Sequence, residues 1–90
     1  MNIWKYELDI RSGSTIKLSM PAGARPLSVQ VQNQAPMLWA LVDPKEKKQD
    51  VEFILAGTGI EFELPANATF VGTFQMYGGS LVLHLFWVVK

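Results

Sequence analysis

The sequence predicts an all-β fold, a small antiparallel sandwich or partly open barrel of seven or eight short strands. Apolar and polar residues alternate along most of the chain, and the alternating segments are separated by short runs rich in Gly, Pro, Asn and Ser. No stretch repeats apolar residues at helical spacing for long enough to form a helix. Ninety residues, of which 49% are hydrophobic and 18% charged, suit a single β domain over residues 1–90.

The N-terminal half contains four of the predicted strands. They cover residues 2–10, 15–20, 27–32 and 37–42. The first two flank Arg11-Ser12-Gly13-Ser14, whose residue types favour a turn, so we expect them to form a β-hairpin. Residues 45–50 are rich in charge and are expected to form an exposed loop.

The C-terminal half contains the remaining strands. They cover residues 51–55, a short run at 60–64, and residues 69–77 and 80–89. Alternation places Phe70 on the same face as Phe74 and Met76. Gly78-Gly79 predicts a tight hairpin turn into the last strand.

Two other glycine positions interrupt the apolar pattern. Gly57-Thr58-Gly59 predicts a bulge or tight bend, with a phosphate-cradling loop as the alternative; no helix follows to support that alternative. Gly72 lies inside an apolar strand, which indicates a bulge or the close approach of another backbone.

The last strand is apolar on both faces, so both faces need cover. Residues 80–89 are too few to span a membrane as a helix, which needs about 20. We therefore expect a second copy of the chain or a partner to supply the missing cover. One parity of the strand is the predicted oligomer interface, and it consists of Val82, His84, Phe86 and Val88.

Composition excludes several classes of function. Eight basic side chains balance eight acidic ones, so neither nucleic acid nor an acidic membrane surface is an expected partner. The absence of cysteine and the presence of a single histidine leave no usual metal-ligand set, and we expect no metal and no cofactor. No nucleophile–histidine–acid pattern is visible, so no catalytic residue is assigned and we expect no enzyme. No secretory signal is visible, which favours the cytoplasm.

A small-molecule site, if present, should involve five residues. Arg25 is the most plausible anchor for an anion, and Gln30 and Gln32 offer amide donors and acceptors along one strand face. Thr58 and Tyr77 complete the candidate set. The alternative for the glutamines is an ordinary solvated sheet face. His84 has two interpretations, a ligand contact or general base, and a histidine hydrogen-bonded within the packing of its strand.

Several segments in order resemble a known family. They are residues 3–8 (IWKYEL), 27–33 (LSVQVQN), 38–44 (LWALVDP), 57–59 (GTG), 71–75 (VGTFQ) and 78–79, together with His84. In this order they are similar to a family of small proteins of unknown function found widely in tailed bacteriophages and prophages. The resemblance spans almost the whole chain. It implies a phage-encoded accessory protein that acts in the cytoplasm of an infected bacterium.

Two functions are consistent with this resemblance. The first is a non-enzymatic counter-defence homo-oligomer that sequesters a nucleotide-derived signal of the host immune system. The second is a protein-interaction module that inhibits a host defence protein directly or is a small virion component. Both depend on analogy with the family, because fold and composition alone name no ligand.

Overall fold

The computed structural model describes residues 1–89. The strands are β1 (Asn2–Glu7), β2 (Thr15–Pro21), β3 (Arg25–Gln32), β4 (Ala35–Val42), β5 (Lys48–Gly57), β6 (Ala68–Met76) and β7 (Leu81–Val88). A single 3-10 turn joins β6 to β7, and no α-helix occurs in residues 1–89. The prediction of an all-β fold is confirmed.

The strands form two antiparallel sheets. One has three strands in the order β1-β4-β3, and the other has four in the order β2-β5-β7-β6. The sheets pack face to face and approach each other most closely where β3 lies against β6. No strand pairing joins the two sheets among the described residues, so the barrel is not closed.

The predicted hairpin between the first two strands is wrong. β1 pairs with β4, whereas β2 pairs with β5 in the other sheet. Residues 8–14 carry the chain from one sheet to the other, and Leu8 at the start of this connection is buried in the core. Its backbone N–H donates to the carbonyl of Pro36. Two alternating segments separated by a turn can pair with each other or with other strands, and the residue pattern is the same in both cases.

Most strand boundaries differ from the prediction by one to three residues; β1, for example, ends at Glu7 and not at residue 10. β5 begins at Lys48, within the expected charged loop, because its backbone pairs with β2 up to Pro21. Strands pair through backbone N–H and C=O groups, so charged side chains do not prevent the pairing. Residues 60–64, predicted as a strand, pair with no other strand of residues 1–89.

The core lies between the inner faces of the two sheets. The three-stranded sheet contributes Val29, Leu38, Ala40 and Val42, and the other sheet contributes Ile16, Met20, Val51, Phe53, Leu55, Phe74, Met76, Leu83 and Leu85. These positions follow the alternation of their strands, and burying them supplies the main driving force for folding.

A β-bulge changes the faces of β6. The register of β6 on β7 shifts between Phe70 and Gly72, which places Phe70 on the outer face while Phe74 and Met76 stay in the core. The expectation that Phe70 shares a face with Phe74 is therefore wrong, because the extra residue reverses the alternation. The prediction at Gly72 is confirmed, since this residue borders the bulge. A Cβ atom there would lie 2.8 Å from Cγ1 of Val29 on the facing sheet.

Tyr6 carries the one buried side-chain polar atom of residues 1–89 that has no hydrogen-bond partner. Its ring lies on the inner side of β1, packed against the core, and its hydroxyl is buried. Burial raises the pKa of the Tyr6 hydroxyl above its usual range.

Candidate functional site

The connection from β5 to β6 crosses the outer face of the four-stranded sheet. β5 and β6 both pair antiparallel with β7, so they run parallel to each other and the chain must pass over β7 between them. We call residues 58–67 the crossover segment. It is held at both ends of β7: the Thr58 N–H donates to the carbonyl of Val82, and Asn67 exchanges hydrogen bonds with Val89 at 2.7 and 2.9 Å.

A tight turn starts the crossover segment. The Ile60 N–H donates to the carbonyl of Gly57 at 3.1 Å, and Gly59 has a φ of 79°. A positive φ at the third residue of a four-residue turn favours glycine. The predicted tight bend at Gly57-Thr58-Gly59 is thus confirmed. The chain then continues without regular secondary structure, whereas a phosphate-binding loop would begin a helix.

His84 links the crossover segment to the edge of the sheet. Its Nε2 lies 2.7 Å from Oγ1 of Thr58, and its Nδ1 lies 2.8 Å from Oγ1 of Thr73 on β6. Oγ1 of Thr58 also donates to the carbonyl of Val82 at 3.4 Å. Both ring nitrogens therefore have partners within the chain. This geometry supports the interpretation of His84 as a hydrogen-bonded structural residue, because no free nitrogen is left to contact a ligand.

We expect Thr58→Val to loosen the crossover segment. The change removes the hydroxyl that meets His84 and should lower the free energy of unfolding by about 1 kcal/mol. Amide hydrogen exchange in residues 58–67 should become faster. Thr69→Val is the matched control, because Thr69 is exposed and its hydroxyl makes no hydrogen bond within residues 1–89. Equal exchange rates in the wild type and Thr58→Val would contradict a tethering role.

Three phenylalanines form a cluster at the centre of this face. The Phe86 ring lies 5.7 Å from that of Phe62 on the crossover segment and 5.6 Å from that of Phe70 on β6, measured between centroids. The second pair meets edge to face, a favourable arrangement for aromatic rings. Phe86 is half-buried because its own chain covers it from two sides.

The apolar side chains around Phe86 are far more exposed than the core. Ile60 is 68% exposed, Phe62 41%, Leu64 51% and Phe70 55%. We call these four residues together with Phe86 the crossover face. Single exposed apolar residues are common on protein surfaces, but a contiguous group indicates an interaction site.

The predicted interface residues lie on this side of the molecule. Val82, His84, Phe86 and Val88 all point to the outer face of β7, by their register with β5 and β6. Their cover differs from the expectation, because the crossover segment of the same chain supplies part of it. Val88 is buried and lies between Glu52 and Ala68 in the register. Self-association through these residues stays a prediction.

Sequence reasoning missed four of the five residues of the crossover face. One of them, Phe70, is expected on the face of Phe74 and lies on the opposite one because of the bulge. The other three, Ile60, Phe62 and Leu64, are predicted as a strand, whereas they lie on top of the sheet and belong to none of its strands. Their alternating run is enclosed between Gly59 and Pro65, and its five residues match the usual length of a strand. No signal in the sequence therefore distinguishes this run from a paired strand.

The five predicted ligand residues are not brought together. Arg25, Gln30 and Gln32 share the outer face of the three-stranded sheet, where they lie beside Leu41, Met37 and Ala35 of β4 respectively. Oε1 of Gln32 accepts a hydrogen bond from Nζ of Lys5 at 2.8 Å. Thr58 lies on the outer face of the other sheet. Tyr77 lies in the turn after β6 with a φ of 55°.

Residues 1–89 hold no group of three or more His, Cys, Asp or Glu side chains placed to bind a metal ion. Within the same residues, no helix has the length and apolar character needed to cross a bilayer.

Comparison with known families assigns the chain to one of them. The sequence profile described as a domain of unknown function, DUF7352, matches residues 1–90. The chain belongs to the DUF7352 family. No curated protein and no solved structure matches it. The family description names no activity, so a function for this DUF7352 domain has to be argued from the crossover face and its chemistry.

Proposed function

We propose that the protein is a non-catalytic interaction module that binds a partner protein through the crossover face. The observation that carries the proposal is the group of exposed apolar side chains, Ile60, Phe62, Leu64 and Phe70, arranged around Phe86 on one side of the molecule. Removing these apolar side chains from water is favourable, so a partner that covers them would gain binding free energy.

The size and composition of the crossover face fit a binding site. A Phe side chain has roughly 150–250 Å² of surface, so the exposed parts of Phe62 and Phe70 alone offer roughly 150–250 Å². A typical interface buries about 800 Å² on each partner, and its binding energy concentrates in a few aromatic residues near the centre. The aromatic cluster therefore suits the centre of an interface, with the polar side chains around it as the rim.

The geometry favours this function over the sequestering of a nucleotide-like signal. The residues proposed for that ligand lie on two opposite outer faces and in a turn. Both ring nitrogens of His84 form hydrogen bonds with threonine hydroxyls. A small-molecule site needs convergent polar groups in a concave pocket. Sequestering therefore stays a prediction from sequence, while the interaction module gains a structural argument.

The sequence resemblance supplies the class of partner. If the chain is encoded by a phage, as the resemblance implies, the partner is a host defence protein that the module inhibits or a component of the virion. Both are proteins, and both fit an apolar docking face. A second copy of the chain is the competing occupant.

The proposal is tested with Phe70→Ser against the matched control Leu27→Ser. Leu27 is similarly exposed but belongs to β3 of the other sheet. Proteins captured from a bacterial lysate by the wild type are identified, purified and titrated against all three chains. We expect Phe70→Ser to weaken binding about tenfold or more and Leu27→Ser to leave it unchanged, because truncating a central aromatic residue typically removes a large part of the binding energy.

Two results would overturn the proposal. One is equal affinity of the wild type and Phe70→Ser for the purified partner. The other is a homo-oligomer, measured by light scattering, that Phe70→Ser converts to a monomer, because the crossover face would then be occupied by a second copy. Thermal unfolding of the variant should match that of the wild type, since Phe70 is mostly exposed.

A further inference from the structure

We infer that the crossover segment acts as an unpaired strand and binds an extended segment of the partner in which apolar and basic residues alternate. The inference rests on the proposed function and names the chemistry of its partner. Its evidence comes from the backbone of residues 61–64, from the two glutamates in this run and from the position of Phe70.

The backbone of residues 61–64 is free to pair. Before this run, the Ile60 N–H donates to the carbonyl of Gly57. After it, the carbonyl of Pro65 accepts a hydrogen bond from the Ala68 N–H. Between them, no backbone hydrogen bond joins residues 61–64 to any other described residue. Residues 61–64 belong to no strand or helix, and their open N–H and C=O groups are available for the addition of a strand, a common mode of peptide recognition.

The charges of the run select the partner. Glu61 and Glu63 alternate with Ile60, Phe62 and Leu64, and residues 58–67 contain no lysine or arginine. Neither glutamate forms an ion pair or a side-chain hydrogen bond with another residue of the described chain. Opposite charges on adjacent strands stabilise pairing, so basic side chains on the added strand are favoured.

The same charges disfavour a second copy as the added strand. Antiparallel pairing of two copies centred on Phe62 would set Glu61 of each chain opposite Glu63 of the other. Like charges directly opposite one another destabilise a strand pair, and here the contact would occur twice. Self-pairing of the crossover segment therefore lacks the complementarity that a basic partner provides.

Phe70 offers a place for the apolar side chains of the added strand. It lies on the outer face of β6, in edge-to-face contact with Phe86, and more than half of its surface is exposed. The crossover segment contacts the same Phe86 ring through Phe62. A strand added beside the crossover segment on the β6 side would therefore cover Phe70 with alternate side chains, while the intervening basic residues remain near the glutamates.

The inference is tested with two fluorescent peptides and the full chain. One peptide alternates Val and Lys, and the other alternates Val and Glu. We expect the Lys peptide to bind about tenfold more tightly than the Glu peptide, since two exposed charge pairs each contribute a few tenths to one kcal/mol. The preference should shrink as salt is added. Binding of the Lys peptide should slow amide exchange in residues 61–64, a change that charge attraction alone does not cause.

Charge reversal provides the matched variants. The double variant Glu61→Lys/Glu63→Lys should reverse the preference and bind the Glu peptide more tightly. The control Glu7→Lys/Glu46→Lys changes the net charge by the same amount at exposed positions outside the crossover segment, and it should keep the preference of the wild type. Equal binding of both peptides to the wild type, or the same reversal in the control, would overturn the inference.

These outcomes are separable from the test of the proposed function. Partner binding that is lost in Phe70→Ser but unchanged in Glu61→Lys/Glu63→Lys overturns the basic strand and leaves the interaction module in place. Partner binding that neither variant weakens overturns both.

Discussion

The Phe53→Ala variant is expected to lose about 3–5 kcal/mol of its free energy of unfolding, the largest effect of any single substitution considered for this chain. Phe53 lies in the middle of β5 and is 0% exposed. It stands between Ile16 of β2 and Trp87 of β7 in the register of the four-stranded sheet. Truncation would remove most of a large side chain and leave a cavity between the sheets. Domains of this size have a total stability of about 5–10 kcal/mol, so the variant should be close to unfolding.

Urea unfolding followed by circular dichroism measures this effect. Phe70→Ala is the matched control, because the same side chain is removed from the outer face of the same sheet, where it is mostly exposed. We expect the control to stay within about 1 kcal/mol of the wild type. If both variants lost the same stability, the assignment of Phe53 to the core and of Phe70 to the outer face would be wrong.

The confirmed part of the fold prediction, the all-β class, depends mostly on the alternation of apolar and polar residues along single strands. β4 shows why: its apolar residues of one parity, including Leu38 and Val42, are buried, and those of the other parity, including Met37 and Trp39, are half-buried. This information is local, because successive side chains of one strand point to opposite faces wherever the strand lies. The pairing of β1 with β4 was not predictable in this way, since any alternating strand can fill either position.

The outer face of β7 shows a second limit. The sequence predicts that a strand apolar on both faces needs two covers, and it does not say which part of the molecule supplies the second. In the structure, the crossover segment provides part of it through Phe62 and Thr58. The connection can do so because β5 and β6 lie on either side of β7, an arrangement that depends on the order of the strands. What remains exposed is the crossover face, which was therefore only partly predictable.

The Gly72→Ala variant is expected to be destabilised by about 1–3 kcal/mol, although the change adds only one methyl group. The added Cβ atom would lie 2.8 Å from Cγ1 of Val29, closer than nonbonded carbon atoms approach in folded proteins. Val29 is buried on β3, so it cannot turn away into solvent. Either the two sheets separate at this corner or the bulge in β6 rearranges, and each response weakens core packing. Thermal and urea unfolding measure the loss.

A double-mutant cycle with Val29→Ala decides whether this contact is the cause. Val29→Ala alone should cost about 2 kcal/mol, because it removes buried methyl groups from the core. It also removes Cγ1, after which the nearest atoms to a Cβ at residue 72 are backbone N and O of Val29 at 3.8 Å, an ordinary contact distance. Gly72→Ala should therefore cost little in the Val29→Ala background, and the two changes should be non-additive by about 1 kcal/mol or more. Strict additivity would mean that Gly72 is required by the bulge itself, and the close approach of β3 and β6 would not be what demands glycine there.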